Sequence, residues 1–304
     1  MREFKNLTEV ITYFSSEEKC RDTVEKMRWP DGNISCPKCG NERSYRMGDM
    51  KHYKCRDKKC GTKFSVIKGS IFEATKLPLS KWFVGIYLVT AHKKGISSCQ
   101  LARDLGIGQK AAWFLLSRIR EMLRSKSVEV LDNIVEVDET YVGGKWENMS
   151  KDKRAKQRKT GKDNKTPVMG LIERDGKAHL TVIGKRSFKE VIRERVDENA
   201  VIVTDAHLGY KGLNYEFVGH AVVNHSENQF KDGIFHTNSI EGTFGLFKRM
   251  VFGIYHQVSP KHLHRYCDEF NYRFNSRKTK DVQRFMETLK RTEGRLKWKD
   301  LTAK

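Results

Sequence analysis

The chain has 304 residues, with 59 Lys and Arg against 38 Asp and Glu, a formal charge of +21 and a pI near 9.6. That length accommodates two or more domains. It carries no uncharged apolar run suited to a membrane span, and its opening Met1-Arg-Glu-Phe-Lys5 lacks a signal-peptide core. A cytoplasmic protein whose field attracts polyanions, nucleic acid first, is therefore expected.

In chain order, residues 1–30 read as a helical segment. Ser15-Ser-Glu-Glu18 fits a capping box opening a helix through Cys20, Val24 and Met27 to Trp29, with Cys20 on its apolar side. Residues 31–67 carry Cys36-Pro-Lys-Cys39 and Cys55-Arg-Asp-Lys-Lys-Cys60, two pairs separated by enough chain for a hairpin. Seven cysteines in a reducing compartment favour metal or free thiols over disulfides, and four thiolates at this spacing suit tetrahedral zinc. Gly40 and Gly61 follow each pair, where a tight turn lets backbone amides face sulfur. A zinc ribbon in contact with DNA, or with another protein, is expected.

Residues 68–127 change to helical period. Trp82, Ile86, Tyr87 and Val89 mark one buried helix, and Ile96 to Arg120 reads as helix, turn at Leu105-Gly106-Ile107, helix. As a helix-turn-helix this puts Gln109 and Lys110 where base edges are read; a small helical bundle gives the same pattern. Cys99 is expected in the core.

Residues 128–282 begin with Ile134-Val-Glu-Val-Asp-Glu-Thr-Tyr-Val-Gly-Gly144. Period two puts Ile134, Glu136 and Asp138 on one strand face and Val135, Val137 and Glu139 on the other. A carboxylate buried on such a strand is costly unless something positive meets it. The basic stretch 145–165, with Arg154, Arg158 and Lys159, lacks the apolar residues to fold alone and reads as a cationic loop that holds phosphates. Val168 to Glu173, a turn at Asp175-Gly176 and Ala178 to Ile183 form a meander. A helix over 188–196 and the strand Val201-Ile-Val-Thr-Asp205 follow, and Asn238 to Lys248 opens a helix carrying Glu241. This order is that of a ribonuclease-H-like fold, so the whole is α+β and multidomain. Leu263, Tyr266, Phe270 and Phe274 mark a packed helix; Tyr141 and Tyr210 read as packing residues. Residues 283–304 read as a charged, frayed tail.

Asp138 and Asp205 each end a β-branched run, so in parallel neighbours both would emerge at one sheet edge. Glu241 has two readings: it closes its own helix in a capping box with Asn238, or it joins the aspartates. Gly242 and Gly245, each costing roughly 1 kcal/mol inside a helix, favour close approach of another backbone or a substrate. Three such carboxylates suit hard divalent ions, two of which serve phosphodiester chemistry. Asn238 could add an amide oxygen, and Lys248, two turns on, lies on the face of Glu241.

The cysteine pairs, the helical region, Val-Glu-Val-Asp138-Glu-Thr-Tyr-Val-Gly-Gly, Val-Thr-Asp205, His236-Thr-Asn-Ser-Ile-Glu241-Gly and Lys248-Arg249 together resemble bacterial insertion-sequence transposases. The branch is the DDE one with an N-terminal zinc ribbon, and the likeness runs over residues 1 to about 280. It implies Asp138, Asp205 and Glu241 as ligands of two Mg2+ or Mn2+ ions, with Lys248 the basic residue that follows. On that resemblance, water would nick the element's end, and the exposed 3′-hydroxyl would then attack target DNA. Ribbon and helix-turn-helix would recognise the terminal repeats, while the basic loop, Lys248 and Arg249 hold phosphates. A homodimer or larger assembly on double-stranded DNA, associated with the nucleoid, is implied. Other readings are a nuclease without strand transfer and a non-catalytic regulator.

Overall fold

A computed structural model describes residues 4–144, 149–152, 154–155, 165–223 and 233–303. Its chain forms two compact units, Met1–Leu123 with Thr279–Lys304, and Arg124–Lys278. Among the described residues no helix is long and apolar enough to cross a membrane.

In the first unit, α1 (Leu7–Tyr13) and α2 (Glu17–Arg28) precede a three-stranded antiparallel sheet, β1 (Ser44–Arg46), β2 (His52–Cys55) and β3 (Lys63–Ser65). The expected capping box is not made. Ser15 instead donates to Thr12 O at the end of α1, because a helix before it uses the same residues as an exit. Glu17 is drawn away to the first turn of α3 (Leu79–Ala91), accepting from the amides of Leu79 and Ser80. Burial pushes the Cys20 thiol up to about 12, as suits the core position expected of it.

The helices α4 (Ser98–Leu105) and α5 (Gln109–Leu123) are joined through Gly106, whose φ of +58° ends α4 in the left-handed region. Cys99 is exposed, contrary to expectation. The buried stripe of α4 is Leu101, Ala102 and Leu105, and Cys99 points well away from it. Residues 283–303 are no frayed tail: α9 (Asp281–Leu289) and α10 (Trp298–Thr302), with the segment between them, bury Phe285, Leu289, Leu296 and Leu301. Phe285 meets Phe14, Phe83 and Tyr87 edge-on, and its i,i+4 partnership with Leu289 hid beneath a run of charges.

The second unit is a five-stranded mixed sheet ordered β6-β5-β4-β7-β8. Its strands are β4 (Ile134–Gly143), β5 (Lys165–Glu173), β6 (Ala178–Val182), β7 (Val201–Asp205) and β8 (Gly219–Val223). The strands β4, β5 and β6 form the antiparallel meander, turning at Asp175, while β7 and β8 run parallel to β4. With helices on both faces this is the ribonuclease-H-like arrangement. One face packs α6 (Phe188–Arg195) over Val135, Val137, Met169, Leu171 and Ile202. The other packs α7 (Asn238–Met250) and α8 (Leu263–Asn275) over Val142, Val168, Ile172 and Leu180.

The outer edge of β6 is closed by side chains. Asn271 and Asn275 each accept from and donate to one backbone residue, Leu180 and Ala178 respectively, at 2.8–3.0 Å. Four helical residues advance about 6 Å and two strand residues about 6.7 Å, so the two asparagines fall into the rhythm of a ladder. An edge that would otherwise offer itself to a foreign strand is occupied.

Candidate active site

The ribbon gathers Cys36, Cys39, Cys55 and Cys60 so that their sulfurs all lie within 4.8 Å of one another. Cys36 and Cys60 are 3.8 Å apart and Cys39 and Cys55 3.6 Å. Tetrahedral zinc with bonds of about 2.3 Å separates sulfurs by about 3.8 Å, so the cage has the size of zinc. Gly40 and Gly61 take φ of +73° and +51°, forming the expected turns. Backbone amides two residues on, those of Asn41, Asp57 and Thr62, donate to Cys39, Cys55 and Cys60. Trp29 at the end of α2 packs edge-on against Tyr53 and Phe64 and fastens the ribbon to that helix.

On the second unit, the parallel register of β4 and β7 pairs Ile134 with Val201, Val135 with Ile202 and Glu136 with Val203. Continued by two residues, the same register sets Asp138 beside Asp205. Burial first, and then repulsion by Glu139, Asp205 and Glu241, raises the Asp138 carboxyl to about 6 against the Glu139 amide that donates to it. Among the described residues no basic side chain pairs with Asp138 or Asp205. Among the described residues the charge concentrated here is thus met by no cation, and the donors are carboxylate oxygens, which fits hard divalent ions. The carboxylates are not drawn as tight as the thiols: among the described residues, only the four cysteines make a set of three or more such ligand atoms that close.

Glu241 lies in the first turn of α7 and is exposed. The helix N-cap is Thr237, not Asn238, and the Thr237 hydroxyl donates to the Glu241 carboxylate at 3.2 Å. Asn238, exposed, is the first residue of the helix. Lys248 is half-buried and Arg249 exposed in its last turn. Space beyond Gly242 is open, and Gly245 has only the Arg249 guanidinium nearby. Among the described residues no packing demands either glycine.

Gly170 does have a packing reason. It pairs with Asp138 across β4 and β5, and a Cβ there would stand 2.6 Å from both Ile240 and Phe244 of α7. The helix that carries Glu241 therefore presses onto the sheet at the strand position opposite Asp138. Glu136, fully buried two residues before Asp138, also reaches this helix, a role that its sequence position alone did not reveal. The cost of burying it was the available signal, and Arg174 is the positive partner that cost demanded. Glu139 accepts from Tyr210 at 2.7 Å, so buried Tyr210 both packs and holds a carboxylate; Tyr141 is exposed rather than packed.

Gln109 and Lys110 are exposed on the first turn of α5. Gln109 donates to Ser98, and the Lys110 ammonium stands 4.9 Å from the Trp298 ring. Arg154 donates to Met149 O. Arg158 and Lys159 lie outside the described residues.

Residues 130–275 match the ISXO2-like transposase domain, and residues 15–63 match a transposase zinc-ribbon domain. The chain belongs to this transposase family. A protein of Halobacterium salinarum described as an uncharacterized protein in transposable element ISH50 is 26% identical over 257 residues, 79% of this chain and 85% of that protein. The two matched segments of the transposase contain the four cysteines and all three acids, in separate units of the fold.

Proposed function

We propose that the transposase binds the ends of a DNA element, cuts them by metal-dependent hydrolysis and joins the 3′-hydroxyls to target DNA. Asp138, Asp205 and Glu241 are the ligands of the divalent ions. The observation that carries this reading is the parallel register that sets Asp138, midway along β4, beside Asp205 at the end of β7, with the helix of Glu241 pressed against Gly170 next to them. Two ions held there would lower the pKa of water, activate a 3′-hydroxyl and stabilise the leaving oxygen.

The remaining work falls to the chain. Asp138, half-buried and repelled by neighbouring acids, would give up its proton to such ions. Tyr210 keeps the Glu139 carboxylate turned toward the phenol. Lys248 and Arg249 meet backbone phosphates along α7, and the open space over Gly242 admits a sugar–phosphate strand close to the helix. Gln109 and Lys110 contact the terminal repeats, with the ribbon, and the basic stretch containing Arg154, Arg158 and Lys159 adds contacts that read no sequence. Two ends must meet, so the working form on DNA is a dimer or larger.

Purified protein with Mg2+ or Mn2+ and labelled end-sequence duplex tests this. Joined products are expected. Cut but unjoined DNA identifies a nuclease, and shifted, intact DNA a regulator. Asp138→Ala joining ends at the normal rate would reject the metal-ligand assignment.

A further inference from the structure

The carboxylate of Glu136 is wholly enclosed and accepts from four donors. Oε1 takes Arg174 Nη2 at 3.1 Å and Ser239 Oγ at 2.9 Å; Oε2 takes the amides of Ser239 at 2.9 Å and Ile240 at 3.1 Å. Those amides belong to the first turn of α7, where helix N–H groups lack partners and the helix dipole favours an anion. A helix usually finds its cap in the residue before it. Here Thr237 makes no side-chain cap and its hydroxyl turns to Glu241, while the cap comes from a strand residue over a hundred positions upstream.

We propose that Glu136 is a positioning residue whose buried carboxylate, steadied by Arg174, clamps the first turn of α7 to β4 and so fixes where Glu241 stands relative to Asp138. The proposal rests on the reading of those two acids as metal ligands. Both ends of the clamp lie within two residues of a ligand: Glu136 precedes Asp138 on the same strand face, and Ser239 and Ile240 precede Glu241 by two and one. The clamp has little slack. Ile240 also presses on Gly170, which pairs with Asp138, so the helix is tied by polar contacts at one point and seated by packing at the next. Arg174 extends the brace, donating through Nη1 to Ile234 O at 2.7 Å, and His236 sets Nδ1 3.3 Å from Glu136 Oε1 without a hydrogen bond. The His236-Thr-Asn-Ser-Ile-Glu241 segment is thereby attached to β4 from both its approach and its first turn.

A buried ion pair that merely stabilised the fold would change melting temperature and leave ion affinity alone. Full-length, zinc-loaded protein is therefore titrated with Mn2+, with free ion followed by electron paramagnetic resonance, and assayed for Mn2+-dependent cutting of end DNA. In Glu136→Gln the half-saturating Mn2+ concentration is expected to rise by about tenfold to a hundredfold, the range for residues that orient metal ligands. Cutting falls at limiting Mn2+ and recovers at excess. Asp138→Asn is the reference and loses both binding and cutting. Wild-type Mn2+ affinity in Glu136→Gln, whatever its melting temperature, overturns the clamp while leaving the ligand assignment intact. Wild-type affinity in Asp138→Asn overturns both. Should Glu136→Gln fail to fold, Arg174→Ala and Ser239→Ala each remove one donor; both are expected to move the Mn2+ midpoint the same way by less, and unchanged midpoints in the pair overturn the clamp.

Discussion

The ribbon's cysteine cage and the carboxylate site proposed for divalent ions are assembled by opposite routes. The ribbon's four sulfurs come from a stretch of 25 residues, are held by local turns at Gly40 and Gly61, and already stand at the spacing of zinc. The carboxylates come from two strands and a helix spread over a hundred residues, and they stand apart with one acid forced upward in pKa. Local assembly makes a closed, structural site. Long-range assembly leaves a site whose geometry depends on how a helix docks, and that suits a centre in which substrate and ions complete the arrangement.

The largest expected effect belongs to the ribbon. Structural zinc contributes on the order of 10 kcal/mol or more to such small folds. Removing it with a strong chelator, or replacing Cys36 and Cys55, should abolish amide-exchange protection across β1 to β3 and release the metal. The sheet of the second unit should keep its protection. Loss of protection in β4 and β5 as well would show that the two sites are not independent.

Next comes Asp138→Asn without divalent ions. The folded Asp138 carboxyl lies at about 6, above its ordinary value of 3.8. A raised acid favours the folded state while protonated, so that contribution is full below the unfolded value and disappears as pH rises through about 4 to 6. Ionised Asp138 thus costs on the order of 2–3 kcal/mol at neutral pH. Asparagine removes that cost while still accepting from the Glu139 amide, so the variant should melt higher than wild type at pH 7 and no higher at pH 3.5. Added Mn2+ should raise the wild-type melting temperature and leave the variant unmoved.

The two regions also differ in how much of them the sequence disclosed. Cysteine spacing defines the ribbon because chemistry and chain distance coincide there. The meander, α6, β7 and α7 were legible from period and turn residues, as was the nearness of Asp138 to Asp205, but β4 does not end at Asp138: its pairing with β5 carries it on to Gly143. Edge strand β8 was not: Gly219-His-Ala-Val-Val223 is short and only partly buried, so it carries no alternation. The role of Glu136 required knowing which helix end would arrive above it. Asn271 and Asn275 make sense only against the edge of β6, and Cys99 failed because residue type says nothing of which helix face it occupies.

Gly170→Ala is the third test. Its Cβ would collide with Ile240 and Phe244, and overpacking of this kind costs about 1–3 kcal/mol. The larger consequence should be on chemistry: α7 lifts, Glu241 moves, and end cutting falls further than stability does, with end binding preserved through the first unit. Equal losses of cutting and stability would mean that the site tolerates helix displacement.

The smallest effect separates protein packing from DNA approach. Gly242 lies in α7 with open space where a side chain would go. Alanine there should stabilise the helix by up to about 1 kcal/mol, since none of the described residues obstructs it and glycine's backbone freedom is lost on folding. If a DNA strand occupies that space, Gly242→Ala should melt slightly higher and join ends more slowly, with Mn2+ affinity unchanged. Higher stability with undiminished joining would leave the glycine without a role in DNA contact, and would move the strand's path toward the opposite side of Glu241.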